Sequence, residues 1–280
     1  MALETLTSPD PHPADTAEPV IALDRVSLAF NEKVILRDVT FTLLPGHTKI
    51  SLGASGSGKS TILKLILGLW KPDGGTIHVN GQRVDTMRER DLIHVRADLG
   101  MVFQEGALFD SLTVGENVGY KLYEDTNVSL TEVRARVEEV LGFVQLGDAI
   151  DRRPSELSGG QRRRVAIARA MASRPRILLY DEATTGLDPI TALTIDEEII
   201  KLRDLEGVSS IIVTHQLRDA FFTADHEAVR EGLGFRIKRA DPQKADEAEF
   251  IMLRDGVIAF EGNAAELRAS NDEYLQTFLS

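Results

Sequence analysis

The sequence predicts an α/β fold built on a mostly parallel sheet, and three observations carry that expectation. Apolar runs at Thr48 to Leu52, Ile177 to Tyr180 and Ser209 to Val213 alternate with helical patterns, the arrangement of a parallel sheet covered on both faces. The first run passes through a Gly/Ser loop at 53–58 into the apolar stretch Ser60 to Trp70, which reads as strand, glycine loop and helix in succession. Two short runs near the start, Ile21 to Phe30 and Val39 to Leu44, are rich in β-branched and aromatic residues and predict a small separate antiparallel sheet.

The elements follow in order. Residues 1–19 are acidic, rich in Pro and poor in apolar side chains, the opposite of a secretory signal, and are expected to be a disordered tail. One domain is expected over 20–262, with Pro45-Gly46 punctuating its early strands. Within it, Gly100 to Phe103 is strand-like and Leu130 to Leu141 has a helical polar face, so a helical subdomain is expected over about 106–156. A helix from Ser158 to Ala172 and another near Ile190 to Leu205 separate the later strands. Polar, mixed-charge residues at 228–249 predict a surface insertion before a strand at Phe250 to Gly262. The C-terminal tail, 263–280, places Tyr274, Leu275, Phe278 and Leu279 at helical spacing, a face to be buried on this domain or on a partner.

Composition excludes several classes of function. With 280 residues, 42% of them hydrophobic and 27% charged, the chain can bury a core as one large domain or two small ones. A formal charge of -12 repels nucleic acid, and Arg162, Arg163 and Arg164, the visible basic cluster, are expected to be a solvated helix face. Without cysteine there is no disulfide, thiolate catalysis or Cys-ligated zinc, which fits a cytosolic compartment. No stretch reaches the ~18 to 20 apolar residues of a membrane span, so membrane association is expected through a partner.

The chemistry is concentrated in a few motifs. Gly53-Ala-Ser55-Gly56-Ser-Gly58-Lys59-Ser60 matches the phosphate-loop pattern and lies between strand and helix as that pattern requires. Its backbone amides, together with the helix N-terminus at Ser60 and Thr61, are suited to phosphate, with Lys59 reaching the β- and γ-phosphates of ATP and Ser60 ligating Mg²⁺. Ile177 to Glu182 is an apolar strand ending in two carboxylates, where a parallel sheet presents its ligand edge. Asp181 is expected to organise the Mg²⁺ shell and Glu182 to act on the attacking water. His215, at the end of the next strand, gains weight from its position alone.

A phosphate loop leaves kinases, GTPases and helicases open. The discriminating motif is Leu157-Ser158-Gly159-Gly160-Gln161, which opens a helix 182 − 158 = 24 residues before Glu182. Here the chain resembles the ABC ATPase family, whose signature is this pentapeptide, over about Ile21 to Gly262. The resemblance implies a P-loop NTPase cassette with a RecA-like core, ATP and Mg²⁺ as ligands, and a head-to-tail pair of cassettes. In such a pair Ser158, Gly159, Gly160 and Gln161 of one chain grip the γ-phosphate held by the other. It also implies that Gln104 touches Mg²⁺ and the water and senses a membrane permease, that Phe30 stacks on adenine, that His215 donates to the γ-phosphate, and that Asp188 reports to the partner chain. Physically, an aromatic such as Phe30 on a strand is as often core.

Phe103 to Phe109, the run through Leu122 and the later Gly186 to Ala192 resemble the Mla cassettes, which energise phospholipid transport in Gram-negative envelopes with an integral permease and an MCE-domain lipid carrier. That resemblance implies a peripheral place on the cytoplasmic face of the inner membrane. Gln161 stands where those cassettes often have Met and Ala183 where Pro is usual, and the 228–249 insertion has no counterpart in them. The alternatives are an importer cassette for another solute and a soluble ABC protein acting on DNA or ribosomes; the latter usually carries paired cassettes, long coiled coils or zinc-binding cysteines, none present here.

Overall fold

The computed structural model describes residues 17–124, 128–232 and 234–279; of the tail expected to be disordered over 1–19, residues 1–16 fall outside them. Near the start, β1 (Ile21–Phe30) and β2 (Lys33–Leu43) form a hairpin, joined by β4 (Gly74–Val79) and β5 (Gln82–Arg83) in an antiparallel sheet of order β2-β1-β4-β5. Alternation aligns one face: Ile21 sits opposite Leu43 and Val79, and Leu23 opposite Phe41 and Ile77, all buried.

The main sheet has the order β12-β11-β3-β8-β7-β6. Its strands are β3 (Thr48–Gly53), β6 (Leu99–Val102), β7 (Ile177–Asp181), β8 (Ser209–Val213), β11 (Ala248–Arg254) and β12 (Val257–Asn263). All neighbours are parallel except β12, which runs antiparallel at the edge. The alternation along each strand splits the interior into two layers. Ile177, Leu179, Ile211, Val213, Ile251 and Leu253 face the antiparallel sheet and α1 (Lys59–Ile66), whereas Leu178, Tyr180, Ile212, Phe250 and Met252 face the helices on the other side.

On the first layer α2 (Glu89–Ala97) packs beside α1, while the helices of the other side begin with α3 (Val114–Tyr123) and α4 (Leu130–Phe143). Reciprocal Thr113/Glu116 and Ser129/Glu132 capping boxes start α3 and α4. Next come α5 (Gly159–Ala172), α6 (Pro189–Glu206) and α7 (Leu217–Asp225). The Ala-rich side of α5 is buried beneath α3 and α4, so the helical subdomain is rooted on α5.

Two segments differ from expectation. Phe250 to Gly262 is a hairpin of β11 and β12 rather than one strand, because Asp255 and Gly256 take φ of +50° and +80° and reverse the chain. The expected insertion at 228–249 begins at His226 with the hairpin of β9 (His226–Glu231) and β10 (Gly234–Arg239), followed by α8 (Pro242–Ala245). Ala248 and Glu249 belong instead to the main sheet, paired with Thr48 and Lys49. The hairpin is anchored through Lys201, whose ammonium lies 4.3 Å from the Phe143 ring centre and 4.4 Å from that of Phe235. At the C-terminus, α9 (Ala264–Ala269) and α10 (Glu273–Leu279) pack on their own domain: Leu267 and Leu275 are buried, and Tyr274, Phe278 and Leu279 lie against the same core. No described helix is long and apolar enough to cross a membrane.

Candidate functional site

Since β3 ends at Gly53 and α1 begins at Lys59, the loop between them lies at the C-terminal edge of the parallel strands. Two of its positions demand glycine. Gly53 and Gly58 have φ of +147° and +106°, and an added Cβ would fall 2.4 Å from the Leu253 carbonyl oxygen or 2.7 Å from Leu36 Cδ2. Gly56 shares the left-handed backbone, at φ +81°, but has open space where its Cβ would be, so backbone is bare at the loop mouth. Ser55 beside it is exposed.

Lys59 is buried, and its ammonium donates to the loop's own carbonyls at Gly53 (2.7 Å) and Ala54 (3.0 Å). Burial draws its pKa below the ordinary lysine value, while the nearby Glu182 and Asp181 carboxylates oppose that fall. Next along the helix, the Ser60 hydroxyl donates to Asp181 Oδ1 at 2.7 Å. Thr61 follows, half-buried in the first turn of α1.

Asp181 closes β7, and Glu182 turns off the strand with φ of +54°, its amide donating to the Val213 carbonyl at 2.9 Å. This left-handed backbone is uncommon for a residue with a side chain and is typical of functional turns. The Glu182 carboxylate is held from two sides: the Thr185 hydroxyl donates to Oε2 at 2.5 Å, and His215 Nδ1 from the end of β8 lies 2.6 Å from the same oxygen. Thus Lys59, Ser60, Asp181, Glu182 and His215, scattered over 157 positions (215 − 59 + 1), converge at the ends of β3, β7 and β8.

A second group forms around the start of α5. Ser158 caps the helix by accepting from the Gln161 amide at 3.2 Å, while Gln161 Oε1 accepts from the Ser158 amide at 2.9 Å. Gly160 is pressed against α6, where an added Cβ would fall 2.1 Å from Thr191 Cγ2, whereas Gly159 is comparatively open. Thr191 in turn donates its hydroxyl to Asp188 Oδ2 at 2.6 Å, and Asp188 caps α6 by accepting from the Ile190 and Thr191 amides. Those bonds hold the Asp188 carboxyl below its ordinary pKa.

Gln104, expected beside the metal, lies in this second group: it is exposed, and it lines a cleft of about 470 Å³ with Gly159, Arg162, Arg163 and Thr185. Among the described residues it makes no hydrogen bond to Ser60 or Asp181. Phe30, at the end of β1, is 45% exposed and therefore not core, with its ring 5.0 Å from Trp70 in an edge-on contact.

One residue of the site was misjudged from sequence. Arg163 is buried rather than solvated, and its guanidinium donates to the carbonyls of Phe103 (3.3 Å), Glu182 (3.4 Å) and Thr185 (3.2 Å), so it links the two groups. Arg162 and Arg164 likewise donate to the Leu157 and Val144 carbonyls. Three consecutive arginines carry no signal of this; only their start one turn into the helix after Gly160 hints that they point inward.

Phosphate and Mg²⁺ suit the first group. The loop offers bare backbone and a buried ammonium, and Ser60 and Asp181 offer adjacent hard oxygens. Among the described residues no three His, Asp or Glu side chains gather as a metal cage. A divalent ion held here by Ser60 and Asp181 would leave the rest of its shell to phosphate and water, as suits Mg²⁺.

Comparison with known proteins agrees. A family model described as ABC transporter matches residues 36–185. The chain is 42% identical over 196 residues to the Methionine import ATP-binding protein MetN of Corynebacterium glutamicum, spanning 70% of this chain and 54% of that protein. It is 34% identical over 267 residues to Protein TRIGALACTOSYLDIACYLGLYCEROL 3, chloroplastic, of Arabidopsis thaliana, spanning 89% of this chain and 70% of that one. The chain therefore spans between 54% and 70% of the length of these curated relatives. The dimeric post-hydrolysis structure of the ATP-binding cassette MJ0796, bound to ADP and Pi, matches with a TM-score of 0.72 and 30% identity over 87% of this chain and 98% of that one. With its phosphate loop, strand-end carboxylates and helix-capping signature in this fold, the chain belongs to the ABC transporter family, as one of its ATP-binding cassettes.

Proposed function

We propose that this chain is the ATP-binding and ATP-hydrolysing subunit of a membrane transporter and works as a head-to-tail pair of identical cassettes. The observation that carries the reading is the convergence of Lys59, Ser60, Asp181, Glu182 and His215 at one sheet edge. Lys59 exchanges its loop carbonyls for phosphate oxygens, and the amides of Ser55, Gly56, Gly58, Ser60 and Thr61 complete the cradle. Ser60 and Asp181, joined by Gln104, would hold Mg²⁺, which supplies charge neutralisation on the phosphates. Glu182 accepts a proton from, or orients, the attacking water, and His215 fixes its carboxylate through Nδ1. Phe30 offers an exposed ring to adenine.

The second group would serve the other copy. Ser158, Gly159, Gly160 and Gln161 present a capped helix start to the γ-phosphate held across the interface, with Asp188 beside them relaying its state. ATP closure and hydrolysis then open and shut the pair and move a permease. The purified chain should release phosphate from ATP only with Mg²⁺, and Lys59→Ala should lower that release at least ~100-fold. Unchanged release by that variant would remove the phosphate loop from the reaction.

For the cargo we propose phospholipid, moved by an Mla-type complex of permease and MCE-domain carrier, with the cassette peripheral on the cytoplasmic face of the inner membrane. Support comes from the resemblance at Gly106 to Tyr120 and, for a lipid though not for its phosphate, from the long match to a relative named for the galactolipid trigalactosyldiacylglycerol. In that stretch Phe109 and Tyr120 are 46% and 43% exposed and lie 4.9 Å apart, an aromatic pair on the helical subdomain suited to a permease helix. A second reading, import of a small solute, is favoured by the higher identity to a methionine import protein. Phe109→Asp should keep basal ATPase activity and release the cassette from its permease in detergent. Phospholipid-stimulated hydrolysis in liposomes supports the first reading; stimulation by a solute with its binding protein establishes the second.

A further inference from the structure

The fold buries one carboxylate that the site above does not use. Asp196, on α6, is 3% exposed, and its Oδ2 makes no hydrogen bond to another group of the protein. It lines a small interior cavity of about 10 Å³, the space of a single water molecule. Asp219 of α7, also buried, lines the same cavity and holds Arg218 at 2.7 Å. The other polar walls are Thr184, Thr214 and Thr223. Thr184 stands two residues past Glu182, and Thr214 immediately precedes His215. The cavity thus lies behind the segments that bring Glu182 and His215 into their 2.6 Å contact.

An ionised carboxylate with an unpartnered oxygen does not persist in such a place without a proton, a cation or more water. The space admits no hydrated ion, whereas a proton removes the charge and with it the demand for hydration. We propose that Asp196 is a positioning residue for ATP hydrolysis: in its neutral form it lets the Thr184 and Thr214 walls stay closed around the cavity, and so keeps Glu182 against His215. This rests on the reading of Glu182 and His215 as the hydrolytic pair. Ionisation leaves a buried charge that is relieved when the cavity opens, and opening moves both segments.

The groups facing Asp196 agree. Burial is the largest influence on its carboxyl; Asp219 adds to it, Arg218 opposes it and Glu197 adds a little, together raising the pKa to about 8. The neutral fraction then falls from about 0.9 at pH 7 to about 0.1 at pH 9.

The test is the pH profile of ATP hydrolysis by the full chain. Wild-type kcat should fall about ten-fold between pH 7 and 9, the ratio of the unrounded fractions, with the KM for ATP little changed. Asp196→Asn, neutral at every pH and nearly isosteric, should keep its pH 7 rate at pH 9. Asp219→Asn removes a neighbouring negative charge and should move the wild-type fall to lower pH; it decides the matter if Asp196→Asn does not fold. An alkaline fall in Asp196→Asn equal to that of wild type, or a uniform loss at all pH values, overturns the proposal. So does a rate that depends on Na⁺ or K⁺ at fixed ionic strength, which would put a cation in the cavity. Absence of any hydrolysis by the wild type would instead defeat the reading of Glu182 and His215.

Discussion

Asp196→Asn should also stabilise the chain, by an amount that grows with pH. In the native state burial and Asp219 raise the Asp196 carboxyl to about 8, against about 3.9 in an unfolded chain. Between those values the native state binds the extra proton, so wild-type stability is full below pH ~4, declines as pH rises towards ~8, and is level above it. Each unit is worth about 1.4 kcal/mol, so four units bound the loss at about 6 kcal/mol, and water entry into the cavity reduces it. Asparagine has no such titration. Urea unfolding of both proteins, followed by the fluorescence of the single tryptophan, Trp70, at pH 5 to 9 measures the difference. The stability gap should widen by roughly 1 kcal/mol per unit up to pH ~8 and then stay constant. Parallel curves across that range would show that Asp196 is ionised in the native state.

Three other substitutions probe other parts of the molecule. Gly160→Ala places a methyl 2.1 Å from Thr191 Cγ2; it should cost about 1–3 kcal/mol by overpacking and depress ATP hydrolysis by displacing Thr191 from Asp188, read by thermal unfolding and phosphate release. Ser158→Arg should stop hydrolysis while isothermal titration of the monomer shows ATP affinity intact; loss of that affinity would place the capped helix in the same chain's nucleotide site. Leu275→Ala, at a side chain only 2% exposed, should cost about 2–3 kcal/mol and expose α10 to protease without preventing dimerisation; a dimerisation defect alone would assign the tail to the partner.

Much of the site was legible because its signals are local. The strand, loop and helix around Lys59 are contiguous, and the helix expected from Ser158 to Ala172 is observed at Gly159–Ala172 because its cap and its apolar face are adjacent in sequence. The reversal at Asp255-Gly256 is equally local, since an Asp-Gly pair between the apolar runs Phe250 to Leu253 and Val257 to Phe260 is itself a hairpin signal that a reading as one strand passes over. What stayed hidden depends on partners far away in the chain. On α6, Asp196, Glu198, Lys201 and Arg203 are all buried, against the expectation that charged residues lie outside. Lys201 pairs with Glu198 at 2.6 Å, and Arg203 donates to the Thr223 and His226 carbonyls. Arg163 likewise satisfies carbonyls from two loops that only the folded sheet brings together. Periodicity finds an apolar face, but a buried charge is recognisable only once its acceptors are in place.

The central claim is that Glu182 performs the hydrolytic step on ATP bound by the phosphate loop, in a pair of cassettes. Glu182→Gln keeps the shape of the side chain and its place beside Thr185 and His215 while removing the carboxylate that acts on water. Gel filtration of this variant with ATP and Mg²⁺, with phosphate release followed on the same sample, is the most direct measurement. The expected result is a stable ATP-dependent dimer with phosphate release at least ~100-fold below wild type; a monomer that still hydrolyses ATP at a near-normal rate would contradict it.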